Sequence, residues 1–241
     1  MTTVPVMSGA QAAAWHGVMD LHDRLDHGWT LVGGQLVHLH CAEQGHTPPR
    51  PTDDIDTVID VRAAGDMLQT FTGVLTGLGF TSVGTSPEGY QHRWSRADAV
   101  IDVLLPEGVG ERTAARPGVT GSPTLPTPGG TQALHRSVSV SVTVDGRTGS
   151  VRRPTLVGAL VMKAAAHTTV GDAARGRHRF DFAALAALIA ARDFRETELT
   201  KKDRSRLRAM LQATRADREV MLGLPDAPES LNRLERAAGL V

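Results

Sequence analysis

The chain has one cysteine, three lysines and one tyrosine in 241 residues, and aromatic side chains make up only 4% of it. The single Cys41 excludes an intrachain disulfide and any metal cluster built from cysteine alone. No apolar run approaches the roughly 20 residues needed to cross a bilayer, and no charged-then-apolar leader opens the sequence, so no membrane partner is expected and the cytoplasm is the expected location. The GxSxG, GxxxxGK[ST] and GxGxxG patterns are missing, which removes the hydrolase, P-loop and Rossmann readings at the level of motifs. Ten histidines are present, His38 and His40 among them, yet neither HExxH nor CxxC occurs, so no zinc site is expected.

Hydrophobic residues make up 41% of the chain, enough to build a sizeable core in one large domain or two small ones. Arginines outnumber lysines 23 to 3, which makes each lysine worth inspection. The formal net charge is zero, but residues 1–151 hold 9 basic against 15 acidic side chains while 152–219 hold 15 against 8. An acidic half thus precedes a basic one, as where metal-binding carboxylates meet a cationic surface for phosphates or nucleic acid; solvated arginine faces on helices would give the same gradient.

Apolar spacing predicts a helix over 9–27, stopped by Gly28, then the short buried strand WTLV, two glycines, and a helix from Gly34 through GQLVHLHCAE. After the proline-rich HTPPRPT, the stretch DIDTVIDV reads as a strand and 61–77 as a second helix. YQHRWSR and AVIDVLLP read as two more strands, the latter apolar enough to be central. Residues 106–130, rich in Pro, Gly, Ser and Thr, read as a surface loop. A hairpin turning at Asp145-Gly146 follows, then helices near 155–169, 179–192, 203–222 and 228–239. The order is α+β: a mixed sheet flanked by helices over residues 1–153, then a helical region over 154–241.

Four features carry chemistry. Gly33 and Gly34 stand where a strand runs into a helix, so their backbone N–H groups would approach an anion closely; two glycines there also mark an ordinary tight turn. In RPTDDID, residues two apart share a face, so Asp54 and Asp56 point together and Asp53 points away, toward solvent or into a cap. Paired carboxylates raise each other's pKa unless a cation sits between them, and hard oxygen ligands suit Mg²⁺ or Mn²⁺. Asp102 interrupts the apolar AVIDVLLP, where an unpaired carboxylate is expensive. Either an arginine pairs with it, or it completes a three-carboxylate cage fit for phosphoryl or nucleotidyl transfer. Lys163 lies on the apolar helix LVGALVMKAAAH, followed by Arg175, Arg177, Arg179 and Arg192, with Asp181 on the next helix. It would snorkel to the surface, pair with Asp181 between helices, or reach a triphosphate with Asp181 holding it.

Taken together, GG, a gap of some twenty residues, RPTDDID, a later aspartate on a strand and a lysine on a following helix resemble the nucleotidyltransferase fold shared with polymerase beta. The form R-x-T-x-D-I-D with a lysine-bearing helix is similar to the AbiEii/AbiGii type, which includes the MenT-type toxins of toxin–antitoxin pairs. This resemblance, running from about Trp29 to Leu188, implies a nucleotidyltransferase fold in residues 1–153, with 154–241 as a helical C-terminal domain. It implies that Gly33 and Gly34 cradle a triphosphate, that Asp54, Asp56 and Asp102 bind Mg²⁺ or Mn²⁺, and that Asp102 helps activate an acceptor hydroxyl. Lys163 then contacts phosphates, Asp181 supports activity, and Arg50 and Thr52 order the loop. Many members carry Lys-Asp where this chain has Arg177-His178. The implied reaction moves an NMP from an NTP to an acceptor hydroxyl. The expected acceptor is tRNA, attacked by a toxin with a cognate antitoxin; the alternatives are an aminoglycoside-type antibiotic or a non-catalytic nucleotide-binding module.

Overall fold

The computed structural model describes residues 1–168, 172–195 and 197–240; the side chains of 172–175, Arg175 among them, lie outside that description. In chain order the elements are β1 (Thr2–Thr3), α1 (Gly9–Arg24), β2 (Trp29–Val32), α2 (Gly33–Glu43), β3 (Ile55–Ile59), α3 (Met67–Gly77), β4 (Thr81–Ser82), β5 (Arg93–Arg96), β6 (Ala99–Pro106), α4 (Glu111–Ala114), β7 (Pro126–Thr127), α5 (Gly130–His135), β8 (Ser137–Val144) and β9 (Arg147–Pro154). Then follow α6 (Leu156–His167), α7 (Asp172–Leu188), a 3₁₀ turn (Ala191–Phe194), α8 (Lys201–Arg215), α9 (Arg218–Gly223) and α10 (Ala227–Ala237). This is the expected α+β architecture: mixed sheet, flanking helices, helical C-terminal region.

The main sheet runs β2-β3-β6-β5-β4, with β7 beside the end of β6. β3 and β6 are parallel neighbours at its centre, and every residue of β2 is buried. Strands covered on both faces read as continuous apolar runs, which is why WTLV was legible as buried, though it ends the sheet order, and AVIDVLLP as central. A second sheet, β1-β8-β9, is built on the hairpin whose turn residues Asp145 and Gly146 take φ of 46° and 77°. Both angles suit the tight turn that matches strand twist.

Two apolar cores form. The first joins Trp15 and Val18 of α1 and Phe71 of α3 to the sheet through Trp29, Ile55, Ile101 and Val103. The second gathers Leu160, Leu185, Leu207 and Leu231 of the later helices, and Leu36, Val37 and Cys41 of α2 belong to it. Helix α2 therefore starts against the sheet and buries its flank among the C-terminal helices.

Several boundaries differ from the sequence reading: α1 ends at Arg24 rather than 27, and α7 spans Asp172–Leu188 rather than 179–192. α3 begins at Met67 rather than near 61, because the Asp60 carboxylate accepts the N–H groups of Arg62 and Ala63 and turns the chain before a helix can start. The expected helix over 203–222 is two helices, since Asp217 caps α9 by accepting the N–H groups of Glu219 and Val220. Residues 106–130 are less loop-like than their composition: the N–H of Leu105 donates to Leu125 and that of Gln91 to Pro123, pinning the stretch along β6 and β5.

Candidate active site

The strand register brings the aspartates together. Val32 at the end of β2 lies opposite Asp56 of β3, and Asp56 lies opposite Asp102 of β6. Gly33, one residue past Val32, has φ +70°, and a Cβ there would run into the Asp56 carboxylate; at Gly34 a Cβ would stand 2.6 Å from Thr52 Cγ2. Both glycines thus serve the tight-turn reading, since they let RPTDDID fold onto the start of α2. The phosphate reading keeps its physical basis beside it. The N-cap, Val32, offers no side-chain acceptor, so nothing from that residue caps the positive end of α2 above the aspartates.

Asp54, Asp56 and Asp102 line one cleft of about 320 Å³, with Gly33, Gly34, Arg50, Thr52, Lys163, Arg177 and His178 on its other walls. Thr52 Oγ1 donates to Asp54 Oδ1 at 2.8 Å and orients that carboxylate. Asp53 turns away and accepts a hydrogen bond from Ser8, which itself caps α1. Asp56 sits at the base of the cleft, reachable from it and otherwise enclosed by protein. Burial pushes its carboxyl up to about 7, and the nearby Asp102 and Asp54 charges push the same way.

Arg93 of β5 reaches into the cluster: Nε donates to Asp102 Oδ1 at 2.9 Å, and Nη2 donates to Asp102 Oδ2 at 2.7 Å and to Asp54 Oδ2 at 3.1 Å. Of the two alternatives posed for Asp102 the arginine partner is present; Asp54 and Asp56 line the same cleft, but among the described residues no three carboxylates are placed so that they could hold a metal ion. Sequence reading missed Arg93 although its signal was available. A two-residue turn at Ala97-Asp98 pairs Arg96 with Ala99, and counting outward pairs Arg93 with Asp102.

Across the cleft the arrangement is reversed. Asp181 of α7, 1% exposed, accepts Nζ of Lys163 at 2.7 Å and the guanidinium of Arg50 at 3.0 and 2.9 Å. Burial alone would raise the Asp181 pKa, but the two cations outweigh it and hold the carboxyl below its usual range. Lys163 is 3% exposed, so it does not snorkel; it forms the interhelix pair while still lining the cleft. Arg50 links its loop to α7 through Asp181, and its carbonyl lies 2.7 Å from His38 Nε2. His178 is neutral at ordinary pH, its pKa lowered to about 4 by burial and by the Lys163 charge. Of the later arginines, Arg177 lines the cleft, Arg179 pairs with Asp217 and Arg192 is exposed elsewhere.

The donor set suits a hard divalent ion, because it offers carboxylate oxygens only and Asp56 sits under like charge that a cation would relieve. Among the described residues, no three His, Cys, Asp or Glu side chains are already closed into a metal-holding group. Arg93 lies between two of the carboxylates, so an ion on all three needs that guanidinium to move. A larger groove of about 900 Å³ lies near Arg62, Arg136 and Lys202; Lys202 and Arg206 pair with Glu107 and Arg136 with Asp203, while Arg62 donates to Thr131 and to the Glu107 and Gly108 carbonyls.

No protein-family model matches the chain. No curated protein matches it either. Among solved structures it is similar to the antibiotic-resistance factor ANT(2'')-Ia in solution, at 14% identity and a TM-score of 0.46, over 87% of this chain and 97% of that one. A crystal structure of ANT(2'')-Ia in complex with adenylyl-2''-tobramycin gives 13% identity and a TM-score of 0.44, over 86% and 97%. Scores this low leave the functional argument to the cleft itself. Among the described residues no helix is long and apolar enough to cross a membrane.

Proposed function

We propose that the chain is a metal-dependent nucleotidyltransferase that moves an NMP from an NTP to an acceptor hydroxyl. One observation carries this: a single cleft sets Asp54, Asp56 and Asp102 opposite Lys163, Arg50 and Arg177. That is the charge complement of a divalent ion on one wall and a polyphosphate on the other. The volume, about 320 Å³, lies at the small end of the usual range for small-molecule sites.

In this reading Asp54, Asp56 and Asp102 hold Mg²⁺ or Mn²⁺, which neutralises charge developing on the phosphate oxygens. Gly33 and Gly34 present the start of α2 to the phosphates. Thr52 fixes Asp54, while Arg50 and Asp181 fix Lys163 at the opposite wall. In the same reading Asp102 would accept the proton of the acceptor hydroxyl as the oxygen attacks phosphorus and pyrophosphate leaves. Residues 1–153 are the catalytic part, and 154–241 supply Lys163 and Asp181. Because α2 buries its flank in the second core, residues 1–153 expressed alone would expose that flank and fold poorly.

The acceptor follows the sequence resemblance: the 3′ end of tRNA, modified by a toxin that an antitoxin restrains, with the basic helical half holding RNA backbone. The second reading is a small hydroxylated antibiotic, the kind of compound named in the complex of ANT(2'')-Ia. The test incubates the full chain with Mg²⁺, each labelled NTP, and either total tRNA or a mixture of aminoglycosides. Label on tRNA, with growth arrest on expression, supports the toxin; label on a drug, with resistance, supports the second reading. Metal-dependent nucleotide binding without pyrophosphate release leaves a non-catalytic module, and no nucleotide binding in the presence of metal sinks the enzyme reading.

A further inference from the structure

Asp54 and Asp102 share one cation, and that cation is a side chain. Arg93 stands directly across the antiparallel pair from Asp102, binds both its carboxylate oxygens and reaches Asp54 with the same Nη2. A guanidinium bridging two carboxylates takes the lone pairs that an ion shared by those carboxylates would use. Arg93 and a divalent cation therefore compete for one place.

The bridge is weakest at its Asp54 end; the two-bond end rests on Asp102, whose side chain is 7% exposed. The Arg93 side chain is 43% exposed and that of Asp54 is 37% exposed, so this half of the contact faces the cleft mouth, where parting an ion pair costs little. Lys163, 3% exposed beneath Asp181, has no such freedom. A released Arg93 remains in a cleft that also faces Lys163 and Arg177, beside whatever anion enters. Its planar fork matches phosphate oxygens as it matches carboxylate oxygens.

We propose that Arg93 is the resident counter-ion of the aspartate cluster, holding Asp54 and Asp102 until a divalent ion replaces it and then turning to the polyphosphate of the substrate. The proposal rests on the nucleotidyltransferase reading and makes Arg93 a positioning residue with two alternating partners. It also predicts effects of opposite sign on the two ligands, and these persist in part in R93K, which keeps the charge but not the bridging fork, where loss of charge alone would leave R93K like the wild type.

The test measures Mn²⁺ binding by electron paramagnetic resonance, and binding of inorganic tripolyphosphate with Mg²⁺ by calorimetry, on the full chain and its R93M and R93K variants. R93M should bind Mn²⁺ about 10-fold tighter and tripolyphosphate about 10-fold more weakly, with R93K between the two. Without metal R93M should melt below the wild type, and saturating Mn²⁺ should close most of that gap. Equal or weaker Mn²⁺ binding by R93M overturns the exchange while leaving the metal reading intact. Tighter Mn²⁺ binding with unchanged tripolyphosphate binding overturns the second partner. If neither wild type nor R93M binds Mn²⁺, the metal reading falls and the exchange falls with it. Should R93M fail to fold, R93K carries the same comparison, with the same signs expected.

Discussion

The two walls of the cleft use the same residue types in inverse proportion. On one, a single guanidinium bridges two of three carboxylates; on the other, one carboxylate at 1% exposure is gripped by a lysine and an arginine. Each wall is left with charge of opposite sign. The contrast separates two tasks that salt bridges perform. The Asp181 carboxylate is buried and satisfied by Lys163 and Arg50, and joins the RPTDDID loop to α6 and α7, so that carboxylate is architecture even though both its cations line the cleft. The aspartate cluster is wetter, under-neutralised and strains Asp56 toward protonation, which suits a place meant to receive a cation.

The contrast can be broken most sharply at Asp56. On the proposed nucleotidyltransferase reading, D56N should lower nucleotidyl transfer by about 10³-fold, read as pyrophosphate release, because a carboxylate that would hold the proposed divalent ion is lost. The same variant should melt at or above the wild-type temperature without metal, since a crowded buried charge has been removed. A large loss of metal-free stability would refute the contrast.

Asp181 should behave in the opposite way. D181A leaves Lys163 buried without its carboxylate and should cost about 3–5 kcal/mol in urea unfolding. The pH dependence follows from the same pair. The folded Asp181 carboxyl lies below its ordinary value, so its stabilisation is complete above the unfolded value of about 4 and is lost as pH falls through the folded value. Melting temperature should therefore drop on going below about pH 4, and D181N should flatten that limb.

Smaller effects test the hinge between the walls. G33A forces a side chain into φ +70° and against Asp56, and should cost about 1–3 kcal/mol along with activity. T52V removes only the hydroxyl that orients Asp54, and should reduce turnover about 10-fold with little change in melting.

Much of this was legible in the chain. Period-two and period-3.6 patterns located the central strands and most helices, and RPTDDID with its alternating apolar tail placed Asp54 and Asp56 on one face. Asp102 was visible as a lone charge in an apolar run. Arg93 went unread because its strand is short and half-exposed, so no apolar pattern singled it out; only counting outward from the Ala97-Asp98 turn pairs it with Asp102. The break before α9 was missed because Asp217 acts by capping, which helical periodicity does not register.

By itself the sequence determined which side chains are expensive to bury unpaired: Asp56, Asp102, Lys163 and Asp181 each sit among apolar neighbours, and local chemistry obliges each to find a partner. Only the tertiary structure decided who the partners are. Asp181 meets Arg50 across 131 residues of chain and Asp54 meets Arg93 across 39, pairings fixed by where β3, β5 and α7 come to rest. Charge demands a partner locally, whereas the choice of partner belongs to packing, which sets these distant segments about 3 Å apart.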